Sequence, residues 1–221
     1  MIEFSVVGAF LVAMAATRWL LRPRMRRSML DVPSARSLHF VPTPRSGGIA
    51  ILAGVVVGVG IYASANDRLP ILTLGIPLSV LVAVSVLDDI RGTPVLLRLA
   101  VHFLSASIAI SIVGVYLFGQ DGDLILNIAT WLGALLFLVW MINLYNFMDG
   151  IDGLAGGMAV IGFGTFGFLG WVANSPPFMT SSFIVAAAAG GFLIFNFPPA
   201  RIFMGDNGSS ALGFLVGVFI L

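Results

Sequence analysis

Carboxamide and carboxylate side chains recur every third residue in the segment N-L-Y-N-F-M-D-G-I-D-G, which begins at Asn143. The four are Asn143, Asn146, Asp149 and Asp152. A helical turn would place them roughly on one face, because residues three apart are neighbours on a helix surface. Mg²⁺ prefers oxygen ligands of this kind. The spacing therefore predicts a strip that binds a divalent cation, and helix capping is the alternative for any one of the four.

Two adjacent carboxylates, Asp88 and Asp89, stand at the end of an apolar run. Asp88 precedes Arg98 by ten residues. At a membrane interface, neighbouring carboxylates repel one another and lose hydration. A cation or an arginine would offset that cost. Adjacent helical residues point about 100° apart, so one carboxylate could take part in chemistry while an arginine holds the other. A solvated helix end is the alternative.

Two further segments combine phosphate-binding side chains with proline and glycine. The first carries Arg36, His39 and Arg45, and arginine suits bidentate recognition of phosphate. A positively charged anchor beside the membrane is the alternative. In the second segment, Asp206 stands at a helix start, a place that suits capping and also anion binding. Phe203 offers either a flat surface on which a base could stack or an ordinary interfacial aromatic.

The composition indicates which elements must position these residues. Hydrophobic residues make up 59% of the 221 residues and charged residues only 10%, whereas a soluble domain has about 25% charged residues. Continuous apolar runs of about 17–25 residues predict an all-α, polytopic transmembrane helix bundle. Seven full spans are predicted, at residues 2–21, 47–65, 69–87, 99–119, 124–142, 153–173 and 178–195, and an eighth begins near Ser209.

We interpret residues 1–221 as a single transmembrane catalytic domain. The eighth run stops at Leu221 after barely half a crossing. We therefore expect the C-terminal part of the domain to be missing from this chain. Cysteine is absent, which excludes disulfides, thiolate metal sites and a cysteine nucleophile.

The arginines set the predicted topology. Alternate spans lead into the four longer loops, residues 22–46, 88–98, 143–152 and 196–208, and ten of the eleven arginines fall on that side. The positive-inside rule then makes these catalytic loops cytoplasmic and the N-terminus external. Six aspartates share the same side: Asp31, Asp88, Asp89, Asp149, Asp152 and Asp206. Their common location predicts one shared site.

Phosphoryl transfer to or from a lipid explains this combination of charges. The aspartates would repel a phosphate or diphosphate unless Mg²⁺ neutralised it, and the membrane implies a lipid substrate. Nucleic-acid binding has no support, because the arginines lie beside the membrane with few aromatics between them. An ion or anion transporter would place charges near mid-membrane, and a structural subunit would need no phased strip of Asn and Asp.

Two other patterns have structural interpretations. His102 lies one turn after Arg98 and is predicted to be a packed, hydrogen-bonded side chain rather than a ligand. Gly213 and Gly217 form a G-x-x-x-G pattern, which predicts close helix packing.

Taken together, the four loops resemble the polyprenyl-phosphate N-acetylhexosamine-1-phosphate transferases, glycosyltransferase family 4. The matching segments are P-S-A-R-S-L-H from Pro33, L-D-D-I-R-G from Leu87, N-L-Y-N-F-M-D-G-I-D-G-L-A from Asn143 and P-A-R-I-F-M-G-D-N-G-S from Pro199. The resemblance implies a bacterial inner-membrane enzyme. It would transfer a sugar 1-phosphate from a UDP-N-acetylhexosamine to undecaprenyl phosphate, or another polyprenyl phosphate, and release UMP.

The form N-F-M-D-G-I-D-G looks like the branch that initiates O-antigen, lipopolysaccharide and related surface polysaccharides. The peptidoglycan branch of cell-wall biogenesis, phospho-MurNAc-pentapeptide transferase, usually has T-D-G-L-D-G at that place and remains the alternative. Family members continue with further spans and a basic or His-rich loop that helps to grip the diphosphate, and this chain stops before it. Homodimer formation is left open.

The resemblance also implies catalytic roles. Asn146 and Asp206 would hold Mg²⁺, or Mn²⁺ in its place, against the diphosphate. Asp88 and Asp89 would orient or deprotonate the lipid phosphate, and Asp206 would share in catalysis. Arg98 would hold a phosphate; the family often has Lys there, which keeps the charge but changes its geometry.

The remaining implied contacts lie on the donor side. Asp149 and Asp152 would border the nucleotide, and Phe203 would lie against the uracil. Four more residues are predicted substrate contacts from their loops: Arg36, His39, Arg45 and Asn143.

Overall fold

The structure, a computed structural model, describes residues 1–23, 25, 29–31, 42–64, 70–114 and 123–221. Within these ranges the chain is built almost entirely of helices, which confirms the all-α prediction. The helices are α1 (Ile2–Leu20), α2 (Gly47–Ala63), α3 (Pro70–Thr73), α4 (Gly75–Arg91), α5 (Val95–Val113), α6 (Leu124–Met148), α7 (Leu154–Val172), α8 (Pro176–Asn196) and α9 (Asp206–Ile220).

Five helices are long and apolar enough to cross a membrane: α1, α5, α6, α7 and α8. The multi-pass membrane architecture is thereby confirmed. Helices α2 and α9 are apolar but shorter, and α4 has 17 residues. The count of seven full spans with the start of an eighth, and the side of the membrane on which the loops lie, stay predictions.

Helix ends differ from the predicted span ends where polar residues continue a helix. Helix α4 runs on to Arg91, so Asp88 and Asp89 lie in its last turn. Helix α6 runs on to Met148 and takes in Asn143 and Asn146. Hydropathy marks only the apolar part of a helix, whereas backbone hydrogen bonding continues until a residue ends it. Gly92, with a φ of 68°, ends α4.

A pair of two-residue strands lies in the first long loop, where no strand is predicted. Strand β1 (Leu30–Asp31) pairs antiparallel with β2 (Thr43–Pro44), with Leu30 opposite Pro44. The Arg45 backbone N–H extends the pairing by donating to the Met29 carbonyl at 2.8 Å. Runs this short carry no readable alternation of polar and apolar residues.

Helix α9 lies at the centre of the bundle rather than at its edge. Every residue from Asn207 to Val218 is buried, and the helix packs against α2, α4 and α6. A Cβ on Gly213 would meet the α6 backbone at Ile142, and one on Gly217 would meet Leu138. The close packing predicted from G-x-x-x-G is confirmed. This burial fixes where the first residue of α9, Asp206, can lie.

The first turns of α2 and α9 touch at Gly48. A Cβ there would overlap the backbone of Gly208, whereas a Cβ on Gly60, later in α2, has no described atom within 4 Å. Gly48→Ala should lower the melting temperature of the purified protein by several degrees, since overpacking costs about 1–3 kcal/mol. Gly60→Ala should leave it unchanged or slightly raise it. Equal melting temperatures for the two variants would contradict this packing.

Candidate active site

Asp88 is held from three directions at the end of α4. Its Oδ1 accepts hydrogen bonds from the Thr93 backbone N–H and hydroxyl, both at 2.6 Å. Its Oδ2 accepts one from Arg98 Nη1 at 2.8 Å. Burial opposes ionisation, but hydrogen bonds with Asp206 and Thr93 and the charge of Arg98 outweigh it and lower the pKa of Asp88 to about 2. Asp88 is therefore a stable carboxylate at neutral pH.

Arg98 bridges carboxylates from two helices. The Nη1 atom that binds Asp88 also lies 3.4 Å from Asp206 Oδ2. Burial raises the pKa of Asp206 to about 7, and the neighbouring Asp88 and Asp89 carboxylates add to the rise. Two arginines, Arg98 beside Asp88 and Asp206 and Arg45 beside Asp89, face a larger group of acids that also includes Asp149. The electrostatics therefore fit a site that gains a further cation when it works.

Asp89 is directed toward the start of α9 rather than toward Arg98. The residue is 6% exposed, and its Oδ1 accepts from the Asp206 backbone N–H at 3.0 Å. Its Oδ2 accepts from the Asn207 backbone N–H at 3.0 Å and from Asn207 Nδ2 at 2.6 Å. The predicted anion position at the start of α9 is thus filled by a side chain of the protein.

Asn146 contacts the same end of α9. Its Oδ1 accepts a hydrogen bond from Ser209 Oγ at 2.8 Å, and Ser209 follows Asp206 by three residues. Residues three apart share a helix face. The structure therefore brings the two predicted metal ligands, Asn146 and Asp206, to the same face of the first turn of α9.

Asn143 contacts different partners from Asn146. Its Nδ2 lies 3.3 Å from His102 Nδ1 on α5 and donates to the Val139 carbonyl at 2.7 Å. The prediction that His102 is packed and hydrogen-bonded is confirmed, since the residue is 5% exposed. Asp149 is the C-cap of α6 and keeps a helical conformation, so of the four residues in the predicted strip only Asp152 lies beyond the helix.

Asp149 and Asp152 hold the segment that leads into α9. Asp149 Oδ2 accepts from the Gly205 backbone N–H, and Asp152 Oδ2 accepts from the Ala200 backbone N–H, each at 2.9 Å. Burial raises the pKa of Asp149 to about 8, against the effect of its backbone donors. Their predicted position beside the nucleotide stays a prediction, but both already orient the backbone that carries Asp206.

Asn196, at the end of α8, is a positioning residue that the sequence analysis missed. It is buried, and its Oδ1 accepts from the Gly153 backbone N–H at 3.1 Å while its Nδ2 donates to the Ile202 carbonyl at 2.9 Å. Thr93 was missed as well. The one available signal was the place of Thr93 between a helix-ending Gly92 and a proline, where a hydroxyl commonly caps or turns the chain.

The basic residues of the first long loop are described in part. Arg36 and His39 lie outside the described residues. Arg45 is partly buried and lies close enough to Asp89 to stabilise its carboxylate. Its Nε is buried and has no hydrogen-bond partner among the described residues, which leaves a donor for an anionic ligand.

Phe203 is fixed through its backbone. Its N–H donates to the Pro44 carbonyl at 2.8 Å, and its carbonyl accepts from the Gly47 N–H at 2.9 Å. The side chain is half-buried. The loop before α9 and the start of α2 therefore form one backbone-paired unit on which Phe203 and Arg45 are carried together.

The donor set fits a magnesium ion better than a metal held by protein alone. No group of three or more His, Cys, Asp or Glu side chains among the described residues is arranged to hold a metal. Mg²⁺ commonly takes only one or two protein carboxylates and leaves its other positions to water and substrate phosphate. One carboxylate, Asp206, with the amide oxygen of Asn146 nearby, meets that requirement.

The sequence profile described as glycosyl transferase family 4 matches residues 71–221, more than half of the chain. The chain belongs to glycosyl transferase family 4. Membership confirms the resemblance drawn from the four loops. The matched range contains Asp88, Asp89, Asn146 and Asp206, whereas the basic residues of the first long loop precede it.

Curated relatives match nearly the whole chain. A probable undecaprenyl-phosphate N-acetylglucosaminyl 1-phosphate transferase of Bacillus subtilis is 31% identical over 98% of this chain and 62% of its own length. A decaprenyl-phosphate N-acetylglucosaminephosphotransferase of Mycolicibacterium smegmatis is 34% identical over 97% of this chain and 59% of its own. The chain thus spans about three fifths of the length of these curated relatives.

The peptidoglycan branch is similar over a shorter stretch. A phospho-N-acetylmuramoyl-pentapeptide-transferase of Bacillus pumilus is 43% identical over 95 residues, which is 43% of this chain and 29% of the relative. Both kinds of relative are named for transfer of a phosphorylated amino sugar.

Proposed function

We propose that this member of glycosyl transferase family 4 transfers an N-acetylhexosamine 1-phosphate from a UDP-sugar to a polyprenyl phosphate such as undecaprenyl phosphate. An oxygen of the lipid phosphate attacks the phosphorus of the sugar-linked phosphate, and a new P–O bond forms. The P–O bond to the bridging oxygen breaks, and UMP leaves with that oxygen. The product is a lipid-linked diphosphate sugar.

The contact that carries the proposal is Arg98 between Asp88 and Asp206. It joins a carboxylate of α4 to one of α9 at a single cation. An arginine held in this way presents its other donors to a phosphate, for which its planar group is suited. The low pKa of Asp88 makes it a weak base, so its proposed role is to orient Arg98 and the lipid phosphate.

Asp206 and Asn146 would hold Mg²⁺ in this proposal, with Mn²⁺ as a substitute. The ion would neutralise the diphosphate and stabilise the charge that develops on the leaving UMP. Asp206 supplies a negative charge and Asn146 a neutral oxygen. The pKa of Asp206, raised by burial and by its acidic neighbours, is what a carboxylate awaiting a counter-cation would show.

The donor side of the proposed site is the backbone-paired unit of Arg45 and Phe203. Phe203 is proposed to lie against the uracil, and Arg45 Nε, buried without a described partner, is proposed to bind a phosphate oxygen. Asp149 and Asp152 hold the neighbouring segment and are proposed to border the nucleotide. Arg36 and His39 are proposed to extend the same contact surface.

The proposed location is the bacterial inner membrane, with the site in the cytoplasm and the N-terminus outside. The chain has no cysteine, so labelling of a single introduced cysteine is not obscured by labelling elsewhere in the chain. Ile151→Cys, at a 54% exposed position beside the site, should resist an impermeant thiol reagent added to intact cells. Ser64→Cys, at the exposed end of α2, should be labelled. The opposite pattern would contradict the proposed topology.

The proposed activity is tested by incubating membranes that contain the full-length protein with a UDP-N-acetylhexosamine labelled in the sugar and with undecaprenyl phosphate. Label should pass into the lipid extract only when Mg²⁺ is present. A transporter or a structural subunit would leave the lipid unlabelled. Lipid that stays unlabelled with every UDP-N-acetylhexosamine tried would overturn the proposal.

The second candidate is the peptidoglycan reaction, favoured by the 43% identity over 95 residues. Relatives that cover nearly the whole chain are instead named for N-acetylglucosamine phosphate transfer, which supports the first candidate and, with it, a role in starting O-antigen or a related surface polysaccharide. Donor choice separates the two, because the peptidoglycan reaction requires a UDP-MurNAc-pentapeptide and the proposed one does not.

A further inference from the structure

The start of α9 is held by carboxylates of other helices. Three successive backbone N–H groups point to them: Gly205 to Asp149 Oδ2 at 2.9 Å, Asp206 to Asp89 Oδ1 at 3.0 Å, and Asn207 to Asp89 Oδ2 at 3.0 Å. The first backbone N–H groups of a helix have no partner within the helix. Gly205, in the N-cap position, has no side chain that could serve them.

The Asp89 carboxylate is fully engaged in this contact. Both of its oxygens accept from α9, and Oδ2 accepts a second time, from Asn207 Nδ2 at 2.6 Å. Asp89 and Asn207 are both buried, Asn207 completely. A carboxylate at the positive end of a helix dipole is also favoured electrostatically. Its neighbour Asp88 makes none of these contacts and faces Thr93 and Arg98 instead.

We propose that Asp89 is a positioning residue that caps α9 from α4, fixes the direction of the Asp206 side chain, and does not touch the substrate. The two adjacent aspartates then have separate functions: Asp88 holds Arg98, and Asp89 holds the helix that presents Asp206. The capping contact follows from the geometry alone, whereas its consequence for catalysis rests on the proposed function.

Hydrogen exchange measured by mass spectrometry tests the capping contact without any substrate. In the purified protein, Asp89→Asn should speed exchange in peptides covering residues 206–207 by at least about tenfold, because a charged acceptor of two backbone N–H groups is lost. Exchange at Thr93 should stay at the wild-type rate. Asp88→Asn is the matched control and should show the reverse pattern. Unchanged exchange at residues 206–207 in Asp89→Asn would overturn the proposal.

A second variant keeps the proposal testable if Asp89→Asn does not fold. Asn207→Ala removes only the side-chain partner of Asp89 and should shift the Mg²⁺ midpoint of transfer to higher concentration. Where Asp89→Asn folds, its shift should be in the same direction, and the double variant should be no worse than the more affected single variant. A wild-type midpoint in Asn207→Ala, or additive shifts, would overturn the proposal that Asp89 acts on Mg²⁺ binding through α9. If the wild-type protein shows no transfer, the proposed function fails. The hydrogen-exchange experiment still tests whether Asp89 caps α9.

Discussion

Asp206→Ala should abolish release of UMP by the full-length protein while the amount of protein in the membrane stays close to wild type. Asp206 is the proposed anionic ligand of Mg²⁺ at the first residue of α9. Without it, no metal ion would be held there to neutralise the diphosphate, and the remaining acidic side chains would repel the donor. Asp206→Asn, which keeps the size of the side chain and removes its charge, should lose activity to a similar extent.

Asn146→Ala should weaken the Mg²⁺ dependence less completely, because it removes an oxygen ligand but no charge. The losses in Asp206→Ala and Asn146→Ala should be strongly non-additive, as expected for groups that act on one ion. The measurement is a Mg²⁺ titration of UMP release for each single variant and for the double variant. Independent losses with an unchanged Mg²⁺ midpoint would show that the two residues do not meet at a metal.

Asp88→Asn should lower the rate of transfer by about 30-fold or more. Removing one partner of a buried, hydrogen-bonded charge pair costs about 2–5 kcal/mol, and each 1.4 kcal/mol in a barrier changes the rate about tenfold. The pair with Arg98 is partly exposed, with side-chain exposures of 32% for Arg98 and 10% for Asp88. We therefore expect the lower end of that range.

The matched control for Asp88→Asn is the same substitution at Asp123. Asp123 is exposed and caps α6 by accepting from the Ile125 backbone N–H at 2.7 Å, a role that asparagine fills about as well. Asp123→Asn should therefore transfer at the wild-type rate. A near-wild-type rate in Asp88→Asn would reassign Asp88 to capping the turn at Thr93.

The types of the site residues could be predicted from sequence because each polar group stands out against apolar helices. The apolar runs located every major helix of the described structure, and the positions of Asn146 and Asp206 at helix ends implied that they could meet. The predicted helical strip from Asn143 continues as far as Asp149, the C-cap of α6, which keeps a helical conformation, whereas Asp152 lies in the turn that follows. Its members nevertheless make separate contacts, Asn143 with α5 and Asn146 with α9.

Partners across the bundle could not be predicted from sequence. An arginine was predicted for one of the adjacent Asp88 and Asp89, and the turn between α4 and α5 gives it to Asp88. The contact of Asp89 with the start of α9, 117 residues away, depends on the packing of α4 against α9. The same holds for the contact of Asp149 with Gly205. These contacts join segments far apart in the chain, so no local periodicity reports them.

The fate of the two donor phosphates tests the central claim most directly. Full-length protein would be supplied with undecaprenyl phosphate and a UDP-N-acetylhexosamine labelled either on the sugar-linked phosphorus or on the phosphorus next to uridine. We predict that the first label passes into the lipid and the second leaves as UMP, in both cases only with Mg²⁺ and not in Asp206→Ala. Release of both labels together as UDP, with the sugar alone in the lipid, would contradict transfer of a sugar 1-phosphate.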